Sequence, residues 1–160
     1  MNGPFRNLAK TAELVTLGML LLFMWSCAPK KIVVYPGEPT ISPRYDVIEY
    51  ALSLVGRPYR NGAKGPVAFD CSGFVHFVYG RFNMEVPVST DRLVRTGYEV
   101  SRDEATPGDM VFFLINGEMH VGIVINPMEF VHSSKSRGVA VDSLDLPYWK
   151  KGTLQFRRIL

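Results

Sequence analysis

The 160-residue chain has room for one ordinary domain with a sizeable hydrophobic core. Its composition, 47% hydrophobic and 21% charged, excludes a disordered polypeptide. A net charge of +3 excludes the strong basic footprint of a nucleic-acid binder.

Residues 1–26 read as a targeting segment. Arg6 and Lys10 precede an apolar run from Leu14 to Trp25, which is too short for a comfortable membrane span. The run ends at Met24-Trp25-Ser26-Cys27. A small residue before a cysteine in that place resembles a bacterial lipoprotein cleavage box. Processing there makes Cys27 the lipidated first residue; a plain secretory signal or an uncleaved anchor are the other readings. Residues 27–41, rich in Pro, Lys and Gly, are expected to tether the domain to the membrane. With Cys27 carrying lipid, Cys71 is the one other cysteine. An exported chain that keeps a thiol it cannot pair internally suggests that the thiol is used.

The folded domain is expected over residues 42–160. Ser42-Pro43 looks like an N-cap followed by proline at the first helical position. Val47, Ile48, Ala51, Leu52 and Val55 follow helical spacing, and Gly56 stops the helix. Arg57 to Phe69 is a loop rich in Gly and Pro. A second helix opens at Asp70 or Cys71 and runs to about Phe82, with Phe74, Val75, Val78 and Phe82 as its apolar face. A short third helix begins at Ser89 or Thr90 and ends before Gly97. After Pro107-Gly108-Asp109, where Asp109 reads as turn chemistry, the pattern changes to strands. These are Met110–Ile115, His120–Ile125, Glu129–Ser133, Val139–Ser143 and Gln155–Ile159. Asn116-Gly117 is a strong two-residue hairpin signal. Helices first and strands second argue an α+β fold with an antiparallel sheet.

Chemistry is concentrated in Asp70-Cys71-Ser72-Gly73. This places a thiol on the first turn of a helix, where the partial positive charge of the N-terminus eases loss of its proton. His120 and His132 flank the later hairpin. If its turn centres on Asn126, residues whose numbers sum to 252 face each other. His120 then pairs directly with His132, about 4.5–5.5 Å apart at Cβ on one face. Helix packing can bring Cys71 onto that same face. Thiol, imidazole and a second polar ring fit the roles of nucleophile, general base and orienting group. Backbone N–H groups at the helix start can stabilise an oxyanion. His76 lies about 140° around the helix from Cys71 and is expected to point away.

At this point the residues match a known pattern. Gly56-Arg57-Pro58-Tyr59-Arg60, Asp70-Cys71-Ser72-Gly73-Phe74-Val75, Pro107-Gly108-Asp109-Met110-Val111-Phe112-Phe113, His120-Val121-Gly122-Ile123 and Phe130-Val131-His132-Ser133-Ser134 occur in that order. The chain resembles the NlpC family of bacterial cell-wall cysteine endopeptidases, which share a papain-like fold. The resemblance implies N-terminal helices on an antiparallel sheet and hydrolysis of the amide between γ-D-glutamyl and a diamino acid in peptidoglycan stem peptides. It assigns Cys71 as nucleophile, His120 as general base and acid, and His132 as the orienting residue. Tyr59 matches a tyrosine that lines the site, and Asp70 and Ser72 match positions that bind substrate in some members. No metal or organic cofactor and no nucleic acid are implied, and a monomer is expected. Lipid on Cys27, followed by Ala28, implies an envelope protein facing the periplasm from the outer membrane if the host is Gram-negative.

Some positions depart from the pattern. Asn61 and Ala63 replace an apolar or aromatic residue and a glycine, and Val88-Ser89-Thr90-Asp91-Arg92-Leu93 replaces an Arg-Thr-Ser run. The rim of the site is therefore expected to differ. Asp70 also fits a simple N-cap, Tyr59 simple packing, and the cluster Phe112, Phe113, Phe130 and Trp149 a core. Three other functions fit the residues less well: a non-enzymatic peptidoglycan-binding lipoprotein, a related papain-like amidase or acyltransferase, and a zinc site built from Cys71, His120 and His132.

Overall fold

Proline at helix position one, followed by Val47, Ile48 and Ala51 on one stripe, produces α1 (Pro43–Ser53), whose three apolar residues are buried. The computed structural model describes residues 43–160. The expected targeting segment, the tether and Cys27 lie outside the described residues. Gly56 ends the run in a left-handed conformation (φ +88°), which glycine adopts without steric cost. The following loop is tied down from both sides. Gly56 N–H donates to Val139 O at 2.9 Å, and Asp70 N–H donates to Ala63 O at 2.8 Å.

The second helix, α2 (Cys71–Gly80), begins where Asp70 caps it from an extended backbone, its Oδ1 accepting from Gly73 N–H at 2.6 Å. It ends before Phe82 because Asn83 turns left-handed (φ 58°) and Met84 N–H reaches back to Tyr79 O, a Schellman-like closure. Gly73 is required by closeness: a Cβ there would sit 2.2 Å from Ala63 O. A four-residue helix, α3 (Thr90–Leu93), follows.

Six strands form one antiparallel sheet: β1 (Tyr98–Val100), β2 (Met110–Ile115), β3 (Glu118–Asn126), β4 (Glu129–Ser134), β5 (Gly138–Ser143) and β6 (Thr153–Arg158). Their order is β1-β6-β2-β3-β4-β5. Asn116 and Gly117 both take positive φ (53° and 80°), the signature of the expected hairpin turn. Strand alternation divides the core. Met110, Phe112, Val121, Ile123 and Val131 face α1 and α2. Val111, Phe113, Val124, Phe130 and Phe156 face the other way, under Trp149 of a short helix α4 (Pro147–Lys150). The expected aromatic core exists, with Phe112 on one side of the sheet and Phe113, Phe130 and Trp149 on the other.

The hairpin register differs from the expectation. His120 and His132 are not directly paired; the β3–β4 ladder runs Asn126↔Glu129, Val124↔Phe130 and Ile123↔Val131. The turn is Pro127-Met128, and Ile125 is an extra residue in β3, a bulge. This bulge decides where the histidines point. At the turn the paired numbers sum to 255, an odd value that would put His120 and His132 on opposite faces. The bulge lowers the sum to 254, which returns them to one face.

Asp109 is also more than a turn residue. Its side chain is fully buried between Arg44 of α1 (3.1 Å) and Arg158 of β6 (2.8 Å), while Oδ2 accepts from Thr106 N–H at 2.8 Å. The two guanidiniums hold the carboxyl below its usual range against the opposing cost of burial.

Candidate active site

Cys71 sits at the N-terminus of α2, half-buried and unpaired. Its helix packs on the face of the sheet opposite the histidines, contrary to the expectation of a shared face. Cys71, His120 and His132 nevertheless line one cavity, near where the β3–β4 pairing ends at Ile123↔Val131. The N–H groups of Val121 and Ser72 face the sulfur. Ser133 Oγ, from β4, donates to Phe69 O at 2.9 Å and fixes the segment leading into α2. Thr90 Oγ1 lies 3.8 Å from Cys71 Sγ.

The expected easing of thiol ionisation is reversed. Burial pushes the Cys71 thiol up, and the Asp70 carboxylate adds to that, outweighing the hydrogen bonds that favour thiolate. The N-terminus of α2 acts on the sulfur, but Asp70 has already taken up part of its positive field. The resting group is a thiol.

The imidazoles form a chain. His120 Nε2 lies 2.8 Å from His132 Nδ1, and His132 Nε2 lies 3.0 Å from Asp142 Oδ2. Asp142 also accepts from Trp149 Nε1 at 2.8 Å and from Arg137 Nη2 at 2.7 Å. His132 is wholly buried. Trp149 stacks on His120 at 5.2 Å between ring centres, with planes 27° apart. Burial pushes His120 down to about 3 and His132 down to about 4. For His132 the opposing pull of Asp142 is the smaller effect. Both rings are therefore neutral at physiological pH. Gly122 makes this contact possible, since a Cβ there would stand 2.6 Å from the Phe130 ring and 3.1 Å from His132 Cβ.

Cys71, His120 and His132 open onto one cavity of about 890 Å³, which Tyr59, Asp70 and Ser72 also line. All six residues expected at the site are thus gathered around one space. Asp70 serves as the N-cap, with Oδ2 accepting from Gly62 N–H at 2.9 Å. Ser72 Oγ donates to Val88 O at 2.9 Å. Tyr59 is pinned by a backbone bridge to Phe69, and burial beside Cys71 raises its phenol. His76 is directed elsewhere, with Nδ1 2.7 Å from Val86 O.

Sequence reading missed Asp142, Arg137, Thr90 and the polar contact of Trp149. One signal was present: aspartate is depleted in strand interiors, and Asp142 lies within β5, two positions from the residue paired with His132. Among the described residues, no trio of His, Cys, Asp or Glu is arranged to hold a metal ion.

Comparison with known proteins decides the lineage. Residues 56–158 match the NlpC/P60 family. The chain belongs to the NlpC/P60 family. It is 42% identical over 109 residues to the probable endopeptidase NlpC of Escherichia coli K12, covering 65% of this chain and 70% of that protein. It is 41% identical over 107 residues to the murein DD-endopeptidase MepS/murein LD-carboxypeptidase of the same strain, covering 66% of this chain but only 57% of that protein. A solved NlpC/P60 family protein from Bacillus cereus superposes with a TM-score of 0.68 at 28% identity, covering 72% of this chain and 39% of that one. The expected α+β NlpC fold is borne out, and with it a hydrolase of the cell-wall peptidase class.

Proposed function

We propose that this NlpC/P60 chain hydrolyses the amide between γ-D-glutamyl and a diamino acid, such as meso-diaminopimelate, in peptidoglycan stem peptides. One observation carries the mechanism: a hydrogen-bonded pair of neutral imidazoles opens onto the same cavity as a half-buried thiol. His120 Nδ1 takes the thiol proton as the sulfur attacks the amide carbon. First-turn N–H groups of α2 stabilise the resulting oxyanion. His120 then returns the proton to the leaving amine, which gives a thioester on Cys71. Water, deprotonated by the same imidazole, releases the acid and restores the thiol. His132 orients His120 and transfers no proton. Tyr59, Asp70 and Ser72 are assigned to the rim that receives substrate, with Asp70 acting from its capping position.

A second reading is supported by the 41% identity to MepS, named a murein DD-endopeptidase: a bond between two D-residues of the murein peptides. The site acts outside the cytoplasmic membrane, on a chain held by lipid at Cys27. Digesting wall sacculi and soluble muropeptides beside a Cys71→Ala control, with products read by mass spectrometry, separates the readings. Fragments split between D-glutamate and the diamino acid support the first bond. Fragments split between two D-residues, with the D-glutamate bond intact, support the second. No new fragment from a folded protein contradicts both.

A further inference from the structure

We propose that Asp142 is a positioning residue that sets the tautomers of both histidines, so that His120 presents an unprotonated Nδ1 to Cys71. The protons can be counted outward from Asp142. Asp142 sits on β5, and its register partner is Phe130, one alternation along β4 from His132. Arg137, from the turn before β5, donates to both of its oxygens at 2.7 and 2.9 Å, and Trp149 donates to one. These donors hold the carboxyl below its usual range, despite burial. An ionised carboxylate only accepts hydrogen bonds. His132 must therefore carry its proton on Nε2, 3.0 Å away. A neutral imidazole has one N–H, so His132 Nδ1 is an acceptor. The group 2.8 Å from it, His120 Nε2, must then be the donor. The remaining nitrogen, His120 Nδ1, is left with a lone pair. The charge on Asp142 thus fixes the proton state of an atom two rings away.

The arrangement also leaves both imidazoles uncharged. Arg137 offsets the carboxylate, and Lys135, from the same turn, opposes a positive charge on His120. Both rings stay neutral bases, and neither becomes a stored imidazolium.

For its effect on turnover this inference rests on the thiol–imidazole reading above; for the tautomers it does not. The test is an imidazole ¹⁵N–¹H spectrum of the full chain at neutral pH, with Cys71→Ala as the parent. Both His120 and His132 are expected to carry hydrogen on Nε2. In Asp142→Asn the amide can donate as well as accept, so the two rings should populate mixed tautomers. With Cys71 intact, Asp142→Asn should lower kcat by about 100-fold while KM changes by less than about threefold. Hydrogen on Nδ1 of either ring in the parent would overturn the proposal, whether or not the variant folds. So would a variant that keeps both tautomers, at any activity, because Asp142 would then be merely structural. The expected tautomers in the parent, together with a folded chain with Cys71 intact that cuts no stem peptide, would refute the proposed reaction and leave the relay standing.

Discussion

At the scale of single residues, the site is a neutral pair. Trp149 and Phe113 crowd His120 and deny its cation hydration, and this burial outweighs the pull of Asp142 toward protonated rings. Cys71, pushed up by burial, keeps its proton until substrate arrives. A base held down at about 3 stays unprotonated far below the ordinary histidine range. The kcat/KM profile should therefore be flat from neutrality into mild acid. An acid limb near the ordinary histidine value would contradict this. His132→Ala should retain part of the activity, because that ring orients and transfers no proton. Complete loss in His76→Ala with the fold intact would reverse the assignment of histidines.

At the scale of elements, the site depends on one inserted residue and one missing side chain. The Ile125 bulge restores the parity that puts His120 and His132 on one face, and Gly122 leaves the space that the Phe130 ring, packed on His132, fills. Gly122→Ala should cost about 1–3 kcal/mol in urea unfolding and a larger share of activity, because the ring it displaces, Phe130, packs against His132. The strands β2 to β5 and the first two helices were legible in the sequence, since alternation, Pro43, Asp70 and Asn116-Gly117 are local signals. The bulge was not legible: Ile125 extends the apolar run of β3 without marking itself as extra. The expected even register reached the right face through a different pairing. β1 escaped notice because it is three residues long and mostly exposed. The three site positions were legible in local motifs, whereas Asp142 acquires its role only when β5 folds beside β4.

At the scale of the whole molecule, Arg44, Asp109 and Arg158 tie the first helix to the last strand, with Arg44 also donating to Leu160 O at 2.5 Å. Removing the carboxylate leaves two guanidiniums facing each other in a partly buried space. Asp109→Ala should cost about 3–5 kcal/mol in urea unfolding. Acid sensitivity follows from signs that agree. His120 and His132 are held below their unfolded values, so the unfolded chain binds protons first and stability falls as pH drops below about 6.5. Asp109 and Asp142 are also depressed, and their contribution, present above the usual carboxylate range, is lost as pH falls through it. Unfolding midpoints should decline monotonically with acid. In cells, Cys27→Ser should release the chain from the membrane fraction; its retention there would count against the lipid anchor.

The thiol–imidazole site is tested most directly by the rate at which a soluble stem peptide is cut by the unsubstituted chain, Cys71→Ala and His120→Ala, each checked for folding. Cleavage is expected from the unsubstituted chain and none above background from either variant. Cleavage by Cys71→Ala at the rate of the unsubstituted chain would contradict this assignment.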